Sequence, residues 1–298
     1  MAPPLRFALA LARSCHPVPS LAVTALTTAY AAASGRSRRE RCLVAGAVLA
    51  GQASVGWCND ALDAARDRAS GRGGKPVADG AVPPGAVWTA AGAALAACVP
   101  LSLASGRRAG AVHLTGVAAA WAYDLGLKGT ALSWLPYATG FAALPTFVAL
   151  AGPSTRPDWT VITASAVLGC GAHLADALPD LDMDRSNGVH GWPHRLGTSR
   201  ARALTPVPPI AATALLAATR PTRATFAALA TAVALTLTAR ALSARSPHAP
   251  FAAAAAVTAL DLALLTRPSQ DQAHAGHARP WNRAAGAATR PRARRTAG

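Results

Sequence analysis

The chain has 298 residues, of which 52% are hydrophobic and only 14% charged, and its mean hydropathy is +0.26. Charge that sparse argues against a soluble surface and favours a polytopic membrane protein. The formal charge of +16 lies in short connectors and at the C-terminal end with no interleaved aromatics, so it argues against a nucleic-acid-binding stripe as well.

In chain order, residues 1–20 carry Arg6, a short apolar run, then Arg13 and His16. No small-residue cleavage region leads into a soluble domain, so the stretch reads as an amphipathic lead-in on the membrane surface rather than a secretory signal. Apolar runs with at most two charges each, long enough at about 17–20 residues to cross a bilayer, then follow one another. They cover approximately 18–35, 42–59, 84–105, 109–126, 131–152, 158–178, 203–219, 224–242 and 249–266, which predicts nine spans in an all-α membrane bundle around a central cavity. The connectors GRSRRER, GRR and RPTR are short and basic, as turns between packed helices are. Most of the apolar mass is Ala and Gly, which let membrane helices approach closely. No run alternates like a barrel strand. Residues 1–266 therefore read as one membrane domain. Residues 267–298, rich in Arg, Ala, Pro and Gly, read as a basic disordered tail. Five scattered cysteines make no CxxC or Cys/His spacing and read as small buried hydrophobes.

Acids are the informative minority. Of thirteen Asp and Glu, eight fall in two stretches, NDALDAARDRASGRGGKPVADG (59–80) and HLADALPDLDMDRSNG (173–188). On a helix, Asn59, Asp60, Asp63 and Asp67 share a face, and Asp176, Asp180 and Asp184 recur at steps of four. Each set hangs from the end of an uncharged stem. Like charges at that spacing repel, so two acid faces on two apolar stems imply one shared cation site. Carboxylates without Cys or His partners favour a hard cation such as Mg2+, held jointly with a substrate phosphate. Basic residues stand beside both sets: Arg66, Arg68, Arg72 and Lys75 near the first, Arg185, His190, His194 and Arg195 near the second. That mixture fits a polyphosphate. If the phosphate belongs to an allylic diphosphate, cations stabilise the departing pyrophosphate and an apolar chamber holds the hydrocarbon.

These motifs resemble a known family. NDALDAARD is similar to the first aspartate motif, NDxxDxxxD, of the UbiA superfamily of intramembrane prenyltransferases, and DALPDLDMD to its second. YDLGLKGTALSW (123–134) resembles the Tyr-to-Lys connector between that family's fourth and fifth helices, and the resemblance covers roughly residues 10–266. It implies that Asn59, Asp60, Asp63, Asp67, Asp176, Asp180 and Asp184 bind Mg2+ and diphosphate. It also implies that Lys75 is the basic residue after the first motif, and that Tyr123 and Lys128 lie near the diphosphate or the acceptor. Arg72 and Arg195 join the expected substrate contacts, and Asp60, Asp63, Asp67, Asp176, Asp180 and Lys128 the catalytic set. The segment KPVADG departs from the family in lacking a further arginine after the KP pair. Pro179 lacks a backbone donor and predicts a kink or helix end, with Asp180 and Asp184 on a separate turn.

Other polar residues divide between site and scaffold. Asp182 is off the shared face, where a solvent position and a ligand role stand evenly, and Asp79 caps a turn at Gly80 as readily as it binds a ligand. Asp124 borders the Tyr123–Lys128 connector, where a site role and a structural one stand evenly. Asp261, deep in the last span, reads as a packing or interface feature. His173 faces either the cavity or the interior, and Trp57, Trp121 and Trp134 either line a chamber or anchor at the interface.

The expected activity is Mg2+-dependent transfer of a prenyl group from an allylic prenyl diphosphate to an aromatic or other acceptor, with release of pyrophosphate. The expected partners are those two small molecules and the bilayer, with no nucleic acid and no protein partner implied. Terpene cyclisation in the same fold and a non-catalytic lipid or cation carrier are the alternatives. Soluble isoprenyl synthases also pair Asp motifs, but their helices alternate polar and apolar faces, which these stems do not. With nine spans both Asp stretches face one compartment, expected to be the cytoplasm, on a weak Lys and Arg bias that the tail opposes.

Overall fold

A computed structural model describes residues 3–69, 74–152, 156–186 and 188–265. Among these residues every regular element is a helix: α1 (Pro3–Arg13), α2 (Pro17–Ala33), α3 (Arg38–Ala69), α4 (Pro84–Ala104), α5 (Arg107–Asp124), a 3-10 turn at Leu127–Gly129, α6 (Trp134–Leu150), α7 (Trp159–Ala177), α8 (Leu181–Ser186), α9 (Trp192–Leu196), α10 (Thr198–Leu204), α11 (Val207–Thr219), α12 (Arg223–Leu242) and α13 (Ala249–Leu265). The expected tail over 267–298 lies outside the described residues, as does Arg72.

Each apolar run coincides with a helix, α2 to α7 and α11 to α13. Five segments are long and apolar enough by themselves to cross a bilayer: α3, α4, α7, the α10–α11 pair and α12. The helices α6 and α13 are apolar but shorter, so length alone leaves the count of nine crossings open. The run expected at 131–152 begins late, because residues 130–133 are spent on the turn that follows Leu127–Gly129. The helix over 42–59 runs ten residues further, to Ala69, and carries the first acid motif out of the apolar zone.

Small residues set the packing. Val44, Ala47 and Val48 of α3 meet Ala31 of α2, Ala109 of α5 and Phe147 of α6 in one fully buried cluster. A Cβ on Gly169 of α7 would lie 2.4 Å from the Tyr137 carbonyl of α6, so those helices touch backbone to side only because a glycine stands there. Gly56 does the same for the chain entry, since a Cβ there would sit 2.3 Å from the Cys15 carbonyl. Large apolar side chains, by contrast, remain exposed on outer faces, among them Trp88, Val99, Leu103, Phe226, Leu235 and Leu237. In water such a surface would aggregate; in lipid it costs nothing.

The lead-in α1 is a surface helix with Leu5, Phe7 and Leu9 exposed, as an interfacial helix requires. Consecutive helices run in alternate directions. The starts of α2 and α6 and the ends of α3, α5 and α7 therefore gather at one end of the bundle. That end is where the acids are.

Candidate active site

Asp60, Asp63 and Asp67 occupy the last turns of α3 and are all buried, 3%, 8% and 3% exposed. A carboxylate near a helix C-terminus faces the negative end of the helix dipole, and three of them on one face repel one another. Such a set persists only with counter-charges, and the structure supplies three, with a histidine beside them. Lys75 Nζ lies 2.8 Å from Asp67 Oδ2 and 3.5 Å from Asp60 Oδ1. Lys128 Nζ lies 2.6 Å from Asp63 Oδ1, and Arg66 2.7 Å from Asp63 Oδ2. His16 Nε2 lies 3.2 Å from Asp60 Oδ1.

Each cation is placed by local structure. Val77 and Val82, fully buried with Ala64 and Val87, pin the segment after α3 against α3 and α4, each burial being worth about 1.5 kcal/mol outside the bilayer. Arg68 donates to the Val77 and Ala78 carbonyls, and Asp79 accepts from Gly74 N at 3.0 Å, a capping role rather than a ligand one. Lys75 is thereby held over the acids. Burial alone would lower its pKa, but the Asp67 hydrogen bond and the fields of Asp60, Asp67 and Asp63 outweigh it and raise the net value. Its charge is thus fully present at neutral pH. Lys128 sits on the 3-10 turn opened by Gly126, whose φ of 149° a side chain would resist. His16 stands between α1 and α2, where the close approach allowed by Gly56 sets it on Asp60.

The second motif is broken where Pro179 predicts. Helix α7 ends at Ala177, Asp180 lies in the turn, and Asp184 is carried by the separate helix α8. Asp176 is open to solvent and accepts a hydrogen bond from the Tyr137 hydroxyl at 2.7 Å. Asp184 faces His194 at 3.4 Å, and Asp182 turns outward to accept from Thr198.

A chain of contacts joins the motifs. Asn59 Nδ2 donates to Asp124 Oδ1 at 2.9 Å and reaches Asp63 Oδ2 at 3.4 Å. The preceding residue, Tyr123, packs edge-on to Tyr137 at 5.2 Å between ring centres, and Tyr137 holds Asp176. Tyr123 feels the charges of Asp124, Asp176 and Asp184, while His16 lies within electrostatic reach of both Asp124 and Asp176.

Two of these residues, His16 and Tyr137, are not among the sequence candidates, and Asp124 stands there evenly between site and scaffold. Only Asp124 carried a signal, an acid at the end of an apolar run. Arg195 is exposed and donates Nε to the His190 carbonyl at 2.9 Å, and Arg185 reaches the His194 carbonyl, so both brace the α8–α9 segment. His173 is an interior residue, hydrogen-bonded to Ser133 at 2.8 Å and stacked on Tyr137. Trp57 and Trp121 donate their indole N–H to the Leu11 carbonyl and to Ser54, and so act as ties between elements.

Among the described residues no three Asp, Glu, His or Cys side chains are drawn close enough to hold an ion as they stand. The first acids are instead parcelled out among Lys75, Lys128, Arg66 and His16. The donor chemistry nevertheless suits a hard cation. Every candidate ligand offers oxygen, and the buried oxygen Asp124 Oδ2 accepts no hydrogen bond. Asp176, solvent-open, faces the same region.

The UbiA prenyltransferase family model matches residues 20–263. The chain belongs to the UbiA prenyltransferase family. A UbiA homologue from Archaeoglobus fulgidus bound to GPP and Mg2+ is similar in fold, at 17% identity over 86% of this chain and 98% of that one, with a TM-score of 0.67. An apo UbiA homologue from Aeropyrum pernix K1 matches at 20% identity over 82% and 96%, with a TM-score of 0.64. Digeranylgeranylglyceryl phosphate synthase matches at 17% identity over 89% and 95%, with a TM-score of 0.61. No curated protein sequence matches the chain. UbiA membership and the five long apolar helices make this an integral membrane protein with the all-helical UbiA fold.

Proposed function

We propose that this UbiA member transfers a prenyl group from an allylic diphosphate to an acceptor within the membrane, with its site open to the cytoplasm and nine helices crossing. The observation that carries the reading is the joining of Asp60, Asp63 and Asp67 to Asp176 through Asn59, Asp124, Tyr123 and Tyr137. Support for a prenyl diphosphate and Mg2+ comes from the A. fulgidus homologues bound to GPP or DMAPP with Mg2+.

Asn59, Asp60, Asp63, Asp67, Asp176, Asp180 and Asp184 would hold the ion. When bound, Mg2+ supplies positive charge that stabilises the leaving diphosphate. Lys75 and Lys128, now on Asp67 and Asp63, are within a side-chain swing of any anion entering between the motifs, and supply further charge to its oxygens. As the bond between carbon 1 and the bridging oxygen breaks, pyrophosphate leaves with the electron pair. The acceptor forms the new bond to carbon 1 and then loses a proton. Tyr123, packed edge-on against Tyr137 beside Asp176, would favour positive charge developing on a carbon bound next to it.

The test is to incubate membranes bearing the protein with labelled prenyl diphosphates of several lengths and candidate acceptors, with and without Mg2+. Acceptor-dependent product and pyrophosphate are expected. Product from the diphosphate alone would make the protein a cyclase. Cation flux in proteoliposomes without pyrophosphate would make it a carrier.

A further inference from the structure

One buried acid at this end of the bundle has no cation of its own. Asp124 closes α5 and is 6% exposed. The Asn59 amide donates to its Oδ1 at 2.9 Å, while Oδ2 is buried and accepts no hydrogen bond. On α3 the acids are better served, with Lys75 on Asp60 and Asp67 and with Lys128 and Arg66 on Asp63. Among the described residues none forms an ion pair with Asp124.

Local structure makes that position costly. A carboxylate at the end of a helix faces the negative pole of its dipole, and the last turn of α5 carries no basic residue to offset it. The cation closest along the chain is Lys128, but the turn at Gly126 carries it to Asp63 instead. The Asn59 amide adds a second strain, because its nitrogen also reaches Asp63 Oδ2 at 3.4 Å. One neutral group thus holds two carboxylates side by side. A buried carboxylate without a cation is strongly destabilising, and a divalent ion removes both the repulsion and the unmatched oxygen. Asp124 also stands where the two motifs meet: Asp63 lies across the amide, and Tyr123 leads through Tyr137 to Asp176.

We infer that Asp124 is a further ligand of the divalent ion, a third arm supplied by α5 between the acids of the two motifs, with Oδ2 as its donor atom. The inference rests on the prenyl-transfer reading for the presence of that ion and adds a residue that lies outside both motifs.

Mn2+ binding to the full-length protein in detergent, followed by electron paramagnetic resonance, tests it without turnover. Asp124→Asn keeps the shape of the side chain and an oxygen for the Asn59 amide but removes the anionic donor. It is expected to weaken Mn2+ binding by about tenfold or more. Loss of a nearby charge would also weaken binding, and Asp124→Cys separates a ligand from a neighbour. A thiolate in the coordination shell favours a soft ion. Asp124→Cys should therefore lose Mn2+ affinity, bind Cd2+ at least about tenfold more tightly than the unaltered protein, and show a sulfur-to-cadmium ultraviolet band that the five native cysteines do not give. Mn2+ affinity within about twofold of the unaltered protein in Asp124→Asn overturns the assignment. So does weaker Mn2+ binding in Asp124→Cys with no gain for Cd2+. If the unaltered protein binds Mn2+ and Asp63→Asn does not, the prenyl-transfer reading stands whichever way Asp124 falls; no Mn2+ binding by the unaltered protein removes both. Where one of the Asp124 variants fails to fold, the other decides.

Discussion

Replacing Lys75 by methionine keeps the length and apolar stem of the side chain and removes one charge from between two buried carboxylates. Asp60 and Asp67 are each 3% exposed, and Lys75 Nζ stands 3.5 and 2.8 Å from them. At an effective dielectric of about 20, the shorter pair contributes roughly 6 kcal/mol of attraction before desolvation is subtracted. Removing one partner of a buried pair costs about 3 kcal/mol or more, because the remaining charges stay buried. For a chain of this size that lowers the apparent Tm by roughly 6–12 °C. Mg2+ replaces the missing charge if the acids are its ligands. Millimolar Mg2+ should therefore raise the Tm of Lys75→Met by several degrees more than that of the unaltered protein. Tryptophan-fluorescence melts in detergent measure both. The sign of the pH dependence follows from the raised pKa of Lys75: its contribution is complete below the ordinary lysine value of about 10.4 and fades only as the pH passes the higher folded value. The difference between the two proteins should thus be flat from about pH 6 to 9. An unchanged Tm, or a Mg2+ response no larger than the parent's, would refute the placement of Lys75 as stand-in for the ion.

Asp63→Asn and Asp180→Asn should each lower turnover in the labelled-diphosphate assay by at least about a hundredfold. Asp182→Asn, whose carboxylate faces outward to Thr198, should stay within about twofold. Tyr137→Phe removes the hydroxyl that orients Asp176 and should weaken Mn2+ binding, followed by electron paramagnetic resonance, by about tenfold. Gly56→Ala drives a methyl into the Cys15 carbonyl and should cost about 1–3 kcal/mol in the same melts, loosening His16 from Asp60. Gly92→Ala on α4 meets nothing within 4 Å and should be neutral or slightly stabilising.

Much of the fold follows from one-dimensional pattern. An apolar run of twenty residues in lipid must satisfy its backbone internally, so helices over 84–104 or 223–242 needed no partner to be foreseen. The same holds for the local break at Pro179, which a missing N–H imposes wherever the helix sits. Acids at steps of three and four on α3 were bound to share a face for the same reason.

Which charges meet is another matter, because it depends on contacts between residues far apart in the chain. Asn59 reaches Asp124 across 65 residues, Tyr137 reaches Asp176 across 39, and Thr213 reaches Asp261 across 48. His16 lay in what read as a surface lead-in, and only the glycine contact at Gly56 brings it onto Asp60. The sequence by itself determined that buried carboxylates would crowd one end of an apolar bundle and would need cations. Helix packing decided which ammonium sits on which oxygen, and left Asp124 with an oxygen that none of them reaches. Side-chain pairing depends on distances of a few ångströms between helices, and spacing along the chain sets those distances only within one helix.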